Sequence, residues 1–587
     1  MANVRNFVVF LLITLSNVAV AAFATISATC NHPTDTGRVI IAIPATEFLY
    51  DLPDGNTIID AQAARVPWLF NNTAIVMKSL SNMITRVNIP QSGRYYLFVR
   101  SIGREGSSFR VAVDDKVTDT AFGQDSVTWK RGGGFDLTEG EASVKITRVS
   151  RGALFDVIVL SPDSTLTEAD IISYQLHPDV KLIRSYDIPP AGAVKFGDVT
   201  GDGLTDFMVL ERNFSTHVYD HSGSRLWSWT APEAYARERS GFEPPGVVWD
   251  FDNDGKAEVV HWRYIDGAEW LVIADGYSGA IRHKVRWPTQ PLPHVYNNFR
   301  LAIGKLTEGR PNEIIVFTDM GGAINVNAYS ATLRLLWQHS EQRLKDHLGH
   351  YVYLVDLNGD GIDEVLAGPM LLDASGRMIW NRFDLFFDHH DHPDNYKFYD
   401  IDGDGNLDII SAHSETGVFA FESMTGRILW QETAEHSQQV EVGHFLDGID
   451  VPQIVVGART YGNRQAGEPY LSSQLYWFDN DGRRIGRWPA KPLNGNPDFV
   501  KGDWQGDGRD QLFWFKFRLD GKGAGELFFP DPVYHMFDFT GQGSEQVITL
   551  SPGKLAVYGS VQTPTNGKDL KSDPLYLKGK VVNHTHY

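Results

Sequence analysis

The stretch YDIDGDGNLDIISAH, residues 399–413, sets four aspartates, Asp400, Asp402, Asp404 and Asp408, within nine positions and then turns apolar. Carboxylates at alternate positions cannot form a core, because the charges repel and stay hydrated. Gly403 and Gly405 between them permit a tight loop with positive φ. Oxygen ligands converging on one point suit a hard cation, and Ca2+ accepts six to eight of them. The following LDIISA has the length and β-branched content of a buried strand. The stretch therefore predicts a calcium-clasped turn entering a strand.

Related segments recur along the chain: FGDVTGDGLTDFMVL, VWDFDNDGKAEVVHW, IGKLTEGRPNEIIVF, LVDLNGDGIDEVLAG, VGHFLDGIDVPQIVV, KGDWQGDGRDQLFWF and MFDFTGQGSEQVITL. With the opening stretch they make eight copies, whose first loop positions are 198, 250, 305, 356, 400, 444, 503 and 538. Between copies lie Gly-containing turns followed by Trp- or Ile-bearing strands, as in FESMTGRILWQE and DASGRMIWNR, which read as hairpins. A period near 50 with several strands per unit predicts a β-propeller over 191–587. Eight copies predict eight blades, although the last spacing of 35 leaves seven open. Expected metal ligands are Asp198, Asp202 and Asp206; Asp250, Asp252, Asp254 and Glu258; Asp356, Asn358, Asp360 and Glu364; and the four aspartates of the opening stretch. Their expected role is structural, since metal binding supports folding. The copies at 305 and 444 have lost the acidic pattern and read as turns only.

Upstream of the repeats, residues 1–24 have a basic start, an apolar centre and small residues near the end, which reads as a secretory signal. Residues 31–165 alternate strand patterns with turns, predicting a β-sandwich, and 166–190 read as a linker. The fold class expected is thus all-β. Trp68, Tyr95, Tyr96 and Trp129 are candidates for stacking on sugar rings, which would make the sandwich a carbohydrate-binding module, although core packing is the expected role for Tyr95 and Tyr96, at least one of which points inward on its strand. A single cysteine, Cys30, excludes an internal disulfide. A net charge of −20 argues against a nucleic-acid partner. No segment is long enough to span a bilayer. A secreted protein, extracellular or periplasmic and monomeric, is expected.

The order of segments resembles one family. KAEVVHW, LAIGKLTEGRPNEIIVFTDMGGAINVNAYSATLRLLW, LGHYVYLVDLNGDGIDEVLAGPMLLDASG, HHDHPDNYKFYDIDGDG, TGRILWQE, NPDFVKGDWQGDGRDQL, FDFTGQGSEQVITL and the terminal VVNHTHY are similar to segments of the rhamnogalacturonan lyases built on an eight-bladed propeller. The resemblance covers about 195–587. It implies calcium-dependent β-elimination on the rhamnose–galacturonate backbone of pectin, or on a related acidic polysaccharide. It also implies catalytic roles for His350 and for His392 with Asp394. At two positions where the family as aligned carries an Arg and a Tyr, this chain has Gln439 and Val582. Arg459 and Lys516, near strand ends, are candidates to supply the substrate-binding charge instead.

Elimination needs the uronate carboxylate neutralised, a base for the C5 proton and an acid for the leaving oxygen. Two other functions stay open on the sequence. A non-catalytic propeller would bind glycan or protein with calcium as a staple. A glycoside hydrolase would need two carboxylates flanking the bond, and the aspartate-rich loops do not single out such a pair.

Overall fold

The computed structural model describes the chain from Val39 to Val582 apart from several stretches, the longer being 49–56, 61–72, 78–82, 172–178, 233–243, 289–298, 343–348, 386–390, 461–471, 494–498, 520–524 and 562–569. The signal reading over 1–24, Cys30, Trp68 and His350 lie outside the described residues. Among those described, the structure is almost entirely β, in antiparallel sheets. No helix is long and apolar enough to cross a membrane.

Two regions follow one another. In the first, a six-stranded sheet and a four-stranded sheet, built between Ile41 and Ser161, enclose a shared core that includes Phe48, Phe109, Phe122 and Phe155. In the second, eight four-stranded sheets succeed one another, each pairing its strands in simple sequence order but for the eighth. The eighth joins the last three strands, Val533–Phe537, Gln546–Ser551 and Lys554–Ser560, to Val180–Asp187 from far upstream. The stretch 166–190 is therefore not all connector. Its strand pairs with one more than 350 residues away, a partner no local pattern can announce. The short spacing before the last copy has a separate cause. The seventh sheet, starting at Phe499 and ending at Leu527, uses strands of only three or four residues.

Each sheet touches the next and the cycle closes. The Asn395 side-chain oxygen accepts from Val440 N–H between the fifth and sixth sheets (3.3 Å), and the Tyr534 hydroxyl accepts from Val194 N–H between the eighth and first (2.9 Å). The sheets are stacked with matching ends together. Ala257 N–H donates to Asp198 O from one repeated loop to the previous one, and Asp363 N–H does the same to Lys305 O. All eight repeated loops therefore lie at one end of the sheets, and the starts of the first strands lie at the other.

A second repeated contact holds neighbouring sheets at their outer strands. Trp227, Trp337, Trp380 and Trp430 each donate an indole N–H to a carbonyl in the hairpin of the following sheet: Gly276, Ala374, Ser423 and Asn480, at 2.7–2.9 Å. Each ring lies so close over Gly279, Gly376, Gly426 or Gly482 that an added Cβ would meet it within 3 Å. These glycines also adopt positive φ, so each of these hairpins carries a steric requirement for glycine.

The first region is docked on the sixth and seventh sheets. Phe98, Val157 and Val159 share one apolar cluster with Val455, Trp477 and Trp514.

Candidate active site

The repeated loops resolve into two jobs. The residue at the end of each loop accepts the backbone N–H of a residue near its start. Asp206 takes Val199, Glu258 takes Phe251, Glu313 takes Leu306, Glu364 takes Leu357 and Asp408 takes Ile401. In the last three copies Gln453, Gln511 and Gln546 do the same with a side-chain amide oxygen. This clasp needs an acceptor and no metal. The earlier acids are the ones that could hold a cation.

In two copies these acids converge. Asp250, Asp252 and Asp254 bring oxygens within 4.8 Å of one another, as do Asp400, Asp402 and Asp404. They differ in what stands beside them. The Arg282 guanidinium reaches Glu258 at 2.5 Å, Asp275 at 2.7 Å and Asp252 at 2.9 Å. No such cation pairs with the carboxylates of the 400 loop among the described residues, and burial with neighbouring Asp402 and Asp404 raises Asp408 to about 6. That donor set, all oxygen and short of positive charge, fits calcium. In the first copy the His221 ring lies 3.2 Å from Asp202 and 3.8 Å from Asp206, while Asp198 accepts N–H groups of Gly201 and Gly203. In the fourth, Asp356 accepts from Gly359 and Gly361, Asp360 from Ile362, and the Asn358 amide donates to Glu364.

The opposite end carries the histidines. His392 directly precedes the first strand of the fifth sheet, Pro393–Tyr399. Its Nε2 lies 3.4 Å from Oδ1 of Asp394, whose carboxylate is fully buried. Its Nδ1 is 3.2 Å from the Ser414 hydroxyl, and Ser414 N–H donates to His392 O. The 414–416 turn is held by Asp391, which accepts from Glu415 N–H and the Thr416 hydroxyl, both at 2.9 Å. Burial raises the Asp391 carboxyl. His413, on the same hairpin, is pushed down to about 3 by burial and by His392, which keeps it neutral.

From this turn the site extends to the sixth sheet. Glu415 lies 3.4 Å from Nδ1 of His436, the first residue of His436–Gly443. Arg459, half-buried, is the cross-strand partner of His436. The structure thus brings His392, Asp394 and Arg459 to one end of two adjacent sheets, together with Glu415 and His436, which the sequence reading missed. Their signal was available: His436 opens a first strand in the register that His392 precedes. Arg300, near the start of the third sheet's first strand and 5.2 Å over the Tyr351 ring, is a second cation at this end and is buried.

Lys516 is placed differently. Its side chain is buried and lies among Asp531, Asp156 and Arg100, and desolvation lowers it to about 8. It belongs to the contact between the two regions, where Arg100 also bonds Asp156 (2.7 Å) and Glu168 (2.5 Å). A soluble polymer cannot reach it, so its proposed role in substrate binding is corrected to an internal one. The sandwich aromatics are similarly engaged. Trp129 stacks on Phe98 at 5.5 Å and donates to Leu166 O, Tyr96 lies under the Arg131 guanidinium, and Tyr95 is buried. Gln439, the counterpart of the expected arginine, donates to Phe499 O and accepts from Phe499 N–H, both at 2.7 Å, tying sheet six to sheet seven.

No family model matches the chain. It is 21% identical over 397 residues to the rhamnogalacturonan endolyase YesW of Bacillus subtilis (strain 168), a match covering 54% of this chain and 61% of that relative. The match thus spans about three fifths of the relative's length. In fold it is similar to the exotype rhamnogalacturonan lyase YesX, with a TM-score of 0.54 at 16% identity over 87% of this chain and 92% of that one. It is also similar to a Bacillus licheniformis rhamnogalacturonan lyase, with a TM-score of 0.52 at 15% identity over 93% and 97%.

Proposed function

We propose that this protein is a secreted, calcium-dependent polysaccharide lyase that cleaves rhamnogalacturonan, or a related acidic rhamnose-containing glycan, by β-elimination. The eight sheets would be the blades of a propeller, with calcium in its repeated loops. The observation that carries this reading is the His392–Asp394 pair at the non-loop end, on a scaffold shared with solved rhamnogalacturonan lyases. An imidazole held by a buried carboxylate is suited to take a proton and to be stabilised once charged.

In the proposed reaction His392 removes the C5 proton of the uronate, and Asp394 stabilises the imidazolium that results. The C5–H electrons form the C4=C5 double bond as the C4–O bond breaks. His350 is assigned the protonation of the departing oxygen. Arg459 would lie against the uronate carboxylate and lower the cost of the carbanion-like transition state. Calcium, when bound, supplies positive charge and holds loops in place; Asp400, Asp402 and Asp404 would ligate it.

A second reading, a non-catalytic glycan-binding propeller, is favoured by Gln439, whose amide is spent on Phe499 and cannot meet a carboxylate. The deciding experiment offers purified protein a panel of pectic and other acidic polysaccharides, with calcium or chelator. It follows the ultraviolet absorbance of unsaturated uronate ends. A calcium-dependent rise supports the lyase; binding with no rise on any substrate selects the binding module.

A further inference from the structure

The outer strand of the second sheet, Ile281–Arg286, departs from the pattern of its neighbours. The outer strands of sheets one, three, four and five each place a Trp on the following hairpin. Here the corresponding residues are IRHKVR, with no Trp. The strand instead presents two cations to an aromatic ring on the strand beside it. Lys284 Nζ lies 4.4 Å and Arg286 Cζ 4.2 Å from the centroid of Trp270. Arg286 is the cross-strand partner of Trp270, and Lys284 the partner of Val272 two residues on, so all three share one face. The Trp270 indole N–H donates to Ile265 O at 3.2 Å, which fixes the ring.

Two nearby arginines show the contrast. Arg282, on the same strand, is spent on Asp252, Glu258 and Asp275. Arg263, opposite Trp270 in the adjacent strand, is buried and donates to His261 Nε2. Lys284 and Arg286 are exposed, and among the described residues neither pairs with a carboxylate. In a chain of net charge −20, such cations have abundant acidic groups to pair with and do not. The Trp270–Arg286 pair lies by the turn at Asp266 and Gly267, which is the non-loop end of the sheet, the end that also carries His392.

From the cluster of half-buried Trp270 with exposed Lys284 and Arg286 we infer an accessory binding site for uronate carboxylates of an acidic glycan, on the same end of the molecule as the candidate active site. The ring holds both cations in place, so less side-chain freedom is lost when a carboxylate binds. A uronate-bearing chain matches the charge; a neutral glycan does not. The inference rests on the proposed polysaccharide substrate but not on cleavage.

The test compares the full chain with its K284Q/R286Q variant, after confirming equal melting temperatures. Affinity electrophoresis with rhamnogalacturonan, in a His392→Ala background so that the polymer stays intact, gives the binding. Two exposed pairs predict about tenfold weaker binding to the acidic polymer, with the difference shrinking at high salt. Binding to neutral galactan stays unchanged, as does turnover of short oligosaccharides by the variant without the His392 change. Equal binding of rhamnogalacturonan by both forms, or an equal loss on galactan, overturns the site. If the full chain binds the acidic polymer through these residues but releases no unsaturated product, the site stands and the lyase reading falls.

Discussion

At the loop end, all eight sheets repeat one device: an acceptor at the end of the loop closes on a backbone N–H near its start, whether that acceptor is Asp, Glu or Gln. At the opposite end, neighbouring sheets carry different residues: Arg300, Tyr351, His392 and His436. Repetition marks what every sheet must do to fold. Departure from it marks what only some sheets do, and that is where the titratable cluster lies. The 250 and 400 loops repeat the lesson on a smaller scale. Both converge three aspartates, yet only the former has Arg282 among its carboxylates.

The sharpest test of the contrast is kinetic. His392→Ala should lower turnover by about a hundredfold to ten-thousandfold, the range for loss of a general base, with the melting temperature little changed. Steady-state assays and thermal melts on the same preparation check this. An equal loss of turnover in a folded loop-end variant such as Asp254→Ala would erase the distinction between the ends.

Next in size is the cost of cutting the Gln439 clasp. Gln439→Ala strands the Phe499 N–H and C=O in the interior and should destabilise the protein by about 2–3 kcal/mol. Denaturant unfolding measures it. Gln439→Arg should not recover stability, because arginine has no acceptor for the Phe499 N–H.

Acid should weaken the histidine end. The folded-state value of His413 is depressed to about 3, so the unfolded chain binds a proton below about 6.5 that the folded one refuses. Its contribution is therefore lost as pH falls through that window, by about 2 kcal/mol between pH 6.5 and 5. His413→Phe should flatten this part of the stability curve. A slope unchanged in the variant would assign the acid sensitivity elsewhere.

At the loop end, calcium at about a hundred times its dissociation constant should stabilise the chain by about 2–3 kcal/mol per site. Asp404→Ala should remove one such increment, read as the difference between melts in calcium and in chelator. Arg282→Ala should do the reverse on a smaller scale, adding a bound calcium by titration calorimetry as the 250 loop loses its internal cation. No change in stoichiometry would mean that Arg282 and a metal do not compete there.

Much of the fold was legible because its information is local. The clasp spans about seven residues, and the Gly-then-Trp hairpins a handful more, so each copy of YDIDGDGNLDIISAH carries its own instructions. The His392 loop was singled out by resemblance to a family and not by its own spacing; the structure places His392 beside Asp394, two positions on. Lys516 was misread because a lysine in WFKF looks alike whether water or a second region covers it.

The sequence by itself determined the all-β class, the repetition and the acid-rich loops, all matters of short spacing and periodicity, whereas the candidate histidine came only from the resemblance to a family. Only the tertiary structure decided which loop is already charge-balanced, for Arg282 lies 30 residues beyond Asp252. It also decided that Val180–Asp187 completes the last sheet and that Glu415 joins His392 to His436. Such contacts depend on which strands become neighbours once the cycle of sheets closes, and that is set by packing between segments distant in the chain.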